Sequence, residues 1–78
     1  MALLNDIANG RQQKWATLCN SKEISEARDA LGYWWVLTDQ TVTRERSIYI
    51  FRRAGYGRLE LTTNDKNIVT RTAYRMFC

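Results

Sequence analysis

The sequence contains no histidine, no proline and only two cysteines among its 78 residues. Histidine is the usual general base of enzymes and the commonest metal ligand, so its absence removes most catalytic triads and most zinc sites. Cys19 and Cys78 stand too far apart for a zinc motif. We therefore predict that the protein is not an enzyme and has no catalytic residue, no metal site and no cofactor. A transferase or hydrolase using only Glu, Arg and Tyr is the enzymatic alternative.

Long apolar runs are also absent. The longest run, residues 33–37, is far shorter than the roughly 20 residues that a membrane-spanning helix needs. No basic segment precedes the first apolar residues, so the pattern of a signal peptide is missing. We expect a cytoplasmic protein without membrane contact. In that reducing compartment Cys19 and Cys78 are expected to be free thiols, with a disulfide between them as the alternative.

The excess of positive charge lies entirely in the second part of the chain. The net charge is +4, but residues 1–32 hold four basic and four acidic side chains, whereas residues 33–78 hold eight basic and four acidic ones. Nine of the basic residues are arginine, whose planar guanidinium group binds phosphate and carboxylate through two parallel hydrogen bonds. This asymmetry indicates an acidic partner.

Apolar periodicity predicts a single α+β domain over residues 1–78, with two N-terminal helices packed on a four-stranded antiparallel β-meander. The helices are expected at about 2–19 and 21–31, and the strands at about 33–38, 44–53, 58–63 and 68–77. Asn9-Gly10 could split the first helix, because glycine inside a helix costs about 1 kcal/mol relative to alanine. The last segment could also form a helix, although its threonines and β-branched residues favour a strand.

Short polar signals mark the element ends. Asn20 and Glu23 have the spacing of a capping box for the second helix, and Gly32 is placed to end it. "DQ" at 39–40 predicts the first hairpin turn. Gly55 and Gly57 predict the second, because glycine adopts positive φ at no steric cost.

The candidate partner-binding residues are the basic residues of the predicted sheet, with one tyrosine and one tryptophan: Arg44, Arg46, Arg52, Arg53, Tyr56, Arg58, Arg71, Arg75 and Trp34. The stretch "RRAGYGR" has two interpretations. Its arginines could contact phosphates while Tyr56 stacks on a base, or it could be a solvated hairpin end with Tyr56 packed on an arginine stem. Trp34 and Trp35 must point to opposite faces of a strand, so that one can anchor a partner.

The arginine pattern of the second strand contains a conflict. Arg44, Arg46 and Arg52 share one face with Ile48 and Ile50, whereas Arg53 has the opposite parity. Either the end with Arg44 and Arg46 overhangs the core, or a β-bulge shifts the register.

In size, charge and αα-then-sheet layout, the chain resembles the small proteins that bacteriophages use to redirect host machines. These include RNA-polymerase-binding transcription regulators, such as the antitermination protein of Xanthomonas phages, and the anti-CRISPR proteins. The resemblance implies a non-enzymatic regulator or inhibitor in the cytoplasm of a bacterial host, which docks on a host protein or nucleoprotein complex. The alternative is a nucleic-acid-binding domain that uses the Arg/Tyr hairpin loop. The oligomeric state is not indicated.

Overall fold

Four antiparallel strands follow two helices along the chain. The computed structural model describes residues 2–76, with side chains from residue 6 onward. The elements are α1 (Ala2–Cys19), α2 (Ile24–Leu31), β1 (Val36–Val42), β2 (Ser47–Arg53), β3 (Gly57–Thr63) and β4 (Val69–Met76). The strands lie in the order β1-β2-β3-β4, each antiparallel to its neighbour. The predicted α+β meander is confirmed, and the described part of the last segment is a strand. Cys78 lies outside the described residues.

The second helix begins at Ile24, later than the predicted start at about residue 21. α1 runs through Asn9-Gly10 without a break, so the prediction of one continuous first helix is confirmed. The cap of α2 is Glu23 rather than Asn20, because the Glu23 carboxylate accepts a hydrogen bond from the Ser25 amide. Asn20 Oδ1 instead accepts from the Thr72 hydroxyl of β4. Asn20 therefore joins the helices to the sheet.

The first hairpin turn lies later in the chain than the sequence predicted. Asp39 and Gln40 belong to β1, and the turn is closed by a bond from the Thr43 amide to the Arg46 carbonyl. The Thr43 hydroxyl accepts a second bond from the Arg46 amide. Side-chain hydrogen bonds of this kind stabilise turns, and the turn forms at Thr43–Arg46 instead of at the predicted "DQ" position. The prediction that Arg44 and Arg46 lie on a strand is therefore wrong.

One face of the sheet, here called the inner face, packs against the helices and forms the core. β3 alternates with Leu59 and Leu61 fully buried on this face. β2 contributes Tyr49 and Phe51, not Ile48 and Ile50. These two aromatic rings pack in one cluster with the buried residues Trp15, Cys19, Ala27, Leu31, Trp35 and Val69. Since aromatic side chains bury more surface than isoleucine, the aromatic row of β2 occupies the core.

The free edge of β4 is closed by the helical segment. The Gln12 amide donates to the Thr72 carbonyl at 2.8 Å and accepts from the Tyr74 amide at 2.6 Å. Further along, the Ser21 amide donates to the Val69 carbonyl, and the Val69 amide donates to the Lys22 carbonyl. These bonds satisfy edge groups that could otherwise pair with another strand.

None of the helices within residues 2–76 combines the length and apolar character that crossing a membrane requires.

Candidate functional site

The face of the sheet opposite the helices carries a row of three arginines on adjacent strands. Arg52 of β2 lies directly opposite Arg58 of β3, and Arg58 lies opposite Arg75 of β4. Neighbouring strands are about 4.8 Å apart, so the row spans about 10 Å across the sheet. We call these three residues the arginine row and the face that carries them the outer face. Val36 of β1 continues the row beside Arg52 and is 58% exposed.

Strand alternation places these arginines outward. Because Leu59 and Leu61 are buried in the core, Arg58 and Glu60 between them must face the other way. The antiparallel registers then align Arg52 and Arg75 with Arg58. The site is therefore a consequence of burying the inner face, and its members come from three different strands.

The electrostatics of the row are unfavourable in the isolated protein. Like charges that lie directly opposite each other on neighbouring strands destabilise a sheet. The carboxylates of this face are Glu60, two positions after Arg58, and Asp39 of β1, which lies opposite Ile50. The Nε atom of Arg58 is buried, and no atom among residues 2–76 accepts a hydrogen bond from it. The indole nitrogens of Trp15 and Trp35 in the core also lack a partner among the described residues, so an unpaired buried donor is not particular to the row.

The rest of the outer face combines apolar side chains with a fourth arginine. Ile48 and Ile50 are half-buried there. Arg71 is exposed and lies opposite Thr62, which in turn faces Ile48. Arg71 is thus on the same face as the row, but nearer the opposite end of the strands.

The structure places Tyr56 and Arg53 away from the arginine row. The Tyr56 ring has the Arg11 guanidinium carbon 4.0 Å from its centroid and that of Arg53 at 4.5 Å. It also meets the rings of Trp15, Trp35 and Tyr74 edge-on. A nucleic-acid base could stack on Tyr56 only by displacing these neighbours. The geometry is closer to the second interpretation, but Tyr56 contacts the guanidinium groups of Arg11 and Arg53 rather than an arginine stem.

The Tyr74 hydroxyl fastens this cluster to the second hairpin. It donates to the Tyr56 carbonyl at 2.8 Å and accepts from Arg11 at 3.1 Å. This hydrogen bond from Arg11 raises the pKa of its guanidinium. Gly57 has no room for a side chain, because an added Cβ would lie 2.6 Å from the Tyr74 ring and 2.6 Å from the Arg75 carbonyl. Gly55 supplies the positive φ of the turn, as predicted, whereas Gly57 is required by packing.

Arg44 and Arg46 form a separate basic group. Both are exposed in the β1–β2 turn. Arg46 and Arg52 are six positions apart along extended chain, which corresponds to roughly 20 Å. The predicted patch therefore divides into the arginine row with Arg71, the turn pair, and Arg53 with Tyr56.

The two adjacent tryptophans have different environments. Trp35 is 4% exposed and belongs to the core, whereas Trp34 is 62% exposed and stacks on Tyr33 with ring centroids 4.9 Å apart. Tyr33 also lines a groove of about 690 Å³ beneath α2, with Trp35, Tyr49 and Phe51 among its other lining residues. Sequence reasoning did not identify this groove or the role of Arg11, because both depend on contacts between distant segments.

No family model, curated protein or solved structure matches this chain. Within the part of the chain that the structure describes, no three His, Cys, Asp or Glu side chains are grouped so that they could hold a metal ion. The function is therefore inferred from the geometry of the outer face.

Proposed function

We propose that the protein is a non-enzymatic binding protein that docks through its arginine row on a larger nucleic-acid machine of a bacterial host. The observation that carries this proposal is the alignment of Arg52, Arg58 and Arg75 across three strands. Such an arrangement costs stability through like-charge repulsion and contributes nothing to the core. An anionic partner would relieve this repulsion, and the relief would contribute to the free energy of binding.

The composition of the outer face supports a macromolecular partner. Arginine is enriched in protein interfaces, and the cores of interfaces are more apolar than their rims. The row lies beside Ile48 and Ile50, so charged and apolar contacts are available on one surface. A basic face is repelled by the basic channels that hold nucleic acid and is complementary to acidic protein surfaces and to bound nucleic acid.

The nucleic-acid machines implied by the resemblance are RNA polymerase and CRISPR effector complexes. Purified examples of both are suitable baits, alongside capture from a bacterial lysate followed by mass spectrometry. Three forms of the protein are compared: the wild type, an Arg52→Glu/Arg75→Glu variant, and an Arg44→Glu/Arg46→Glu variant. Both variants change the net charge equally, and at exposed positions. A non-specific effect of charge should therefore weaken partner binding by the same amount in both. Circular dichroism verifies that each is folded.

We expect the wild type and the turn variant to capture the same stoichiometric complex, and the row variant to lose it. Recovery of no stoichiometric partner by the wild type would overturn the proposal. Equal capture by a folded row variant would also overturn it, because the partner would then bind elsewhere.

A further inference from the structure

We infer that the arginine row binds consecutive phosphates of a nucleic-acid backbone, without reading the bases. This inference rests on the proposed function, since it uses the same row, and it names the chemical group of the machine that the row contacts. The local feature that points to a bound anion is the row itself: Arg52 and Arg75 are exposed, and the positions directly opposite Arg58 on both neighbouring strands hold arginine and no carboxylate.

The shape of the row favours a polyanion over a single ion. The three guanidinium stems stand on successive strands of an open face, about 4.8 Å apart, instead of converging in a pocket. A nucleic-acid strand presents a repeating line of phosphates, each able to accept two hydrogen bonds from one guanidinium fork. The two carboxylates of this face, Glu60 and Asp39, lie opposite Ile50 and not opposite an arginine of the row, so the row remains cationic.

Within residues 2–76, the outward positions of the three strands that carry the row hold no aromatic ring on which a base could stack. These positions in β2, β3 and β4 hold Ile48, Ile50, Arg52, Arg58, Glu60, Thr62, Arg71, Ala73 and Arg75. Stacking on aromatic side chains contributes much of the affinity for single strands, at about 1–3 kcal/mol per base. Its absence predicts weak, salt-sensitive binding that does not depend on base sequence.

The test is a fluorescence-anisotropy titration of a labelled single-stranded oligothymidine at several salt concentrations. Three phosphate contacts predict that log K falls against log salt with a slope of about −2, since each contact to a single strand contributes about −0.7. Arg58→Gln should make the slope shallower by about 0.7. Arg58→Lys should keep the slope, because the charge remains, while affinity falls with the loss of the bidentate fork.

The matched control is Arg44→Gln, which removes an equal charge in the exposed β1–β2 turn and should leave the slope unchanged. A wild-type affinity for the oligonucleotide weaker than about 10⁻⁴ M at moderate salt would overturn the inference, because even non-specific binders usually exceed it. An unchanged slope in folded Arg58→Gln would also overturn it. Either of these two results could occur together with a captured partner complex that survives nuclease treatment. In that case the proposed function would be retained, and the assignment of the row to phosphates would be refuted.

Discussion

The two faces of β3 show how one strand serves two different tasks. Leu59 and Leu61 are fully buried on the inner face, while Arg58 and Glu60 alternate with them on the outer face. The inner residues gain about 1.5–3 kcal/mol each from burial, whereas Arg58 faces like charges on both neighbouring strands. The inner face therefore accounts for the fold, and the outer face contains charge that the fold does not need. The following changes test this division.

The largest expected effect is the loss of a core side chain. Leu59→Ala should lower the free energy of unfolding by about 2–5 kcal/mol, because it leaves a cavity at a fully buried position. Its neighbour supplies the control: Arg58→Gln should cause no loss of stability, because it relieves repulsion between like charges. Urea denaturation measures both. A large destabilisation by Arg58→Gln would show that the outer face is structural as well.

A second comparison concerns two glycines. Gly57→Ala should destabilise the protein by about 1–3 kcal/mol through overpacking, since the new methyl group would contact the Tyr74 ring and the Arg75 carbonyl. Gly10→Ala places the same methyl group in open space on α1 and should stabilise the helix by up to about 1 kcal/mol. Thermal unfolding of both variants checks this contrast, and equal effects at the two positions would contradict the packing at Gly57.

A third comparison concerns two adjacent glutamines of α1. Gln12→Ala should cost about 1–2 kcal/mol, because the Thr72 carbonyl and the Tyr74 amide at the sheet edge lose their partner. Gln13 is exposed, and Gln13→Ala should be nearly neutral. Hydrogen exchange gives the more specific measurement: the Tyr74 amide should exchange faster in the Gln12 variant alone. Unchanged exchange there would mean that Gln12 does not close this edge.

The smallest expected effect is a pH dependence from the inner face. Burial raises the pKa of the Cys19 thiol to about 11. The folded protein therefore holds this proton more tightly than the unfolded chain, so the contribution to stability is complete below the ordinary thiol pKa and is lost as pH rises through the folded value. Between pH 8 and pH 10 the loss should be about 1 kcal/mol.

Cys19→Ala isolates the contribution of this thiol to the pH dependence of stability. The variant should start less stable at pH 8 but lose about 1 kcal/mol less than the wild type on going to pH 10. Chemical denaturation at the two pH values provides the comparison. Parallel losses in both proteins would contradict a buried, protonated thiol.

Local sequence signals were sufficient for the general architecture. Helical periodicity and Gly32 defined the helices, and the alternation around Leu59 and Leu61 correctly oriented β3. They were insufficient for β2, where Ile48-Ile50 and Tyr49-Phe51 are both plausible core rows. That choice depends on which row meets the buried residues of the other segments, and periodicity within one strand carries no such information.

The arginine row could not be predicted as a unit for the same reason. The sequence identified Arg52, Arg58 and Arg75 as candidates, but their alignment depends on the registers of three strands. It also grouped Tyr56 with them, because the ring lies next to them in the chain. Arg11, a residue of α1, lies against that ring. This contact cannot be predicted from the sequence of the loop alone.

The most direct test of the division between the faces is a two-dimensional ¹⁵N NMR titration of the protein with single-stranded oligothymidine. We predict that chemical-shift changes concentrate at Arg52, Arg58 and Arg75 and their outward neighbours, and that Tyr56 and the Arg44–Arg46 turn change little. Changes concentrated at Arg53 and Tyr56, with an unaffected arginine row, would contradict the account and return the binding site to the hairpin loop.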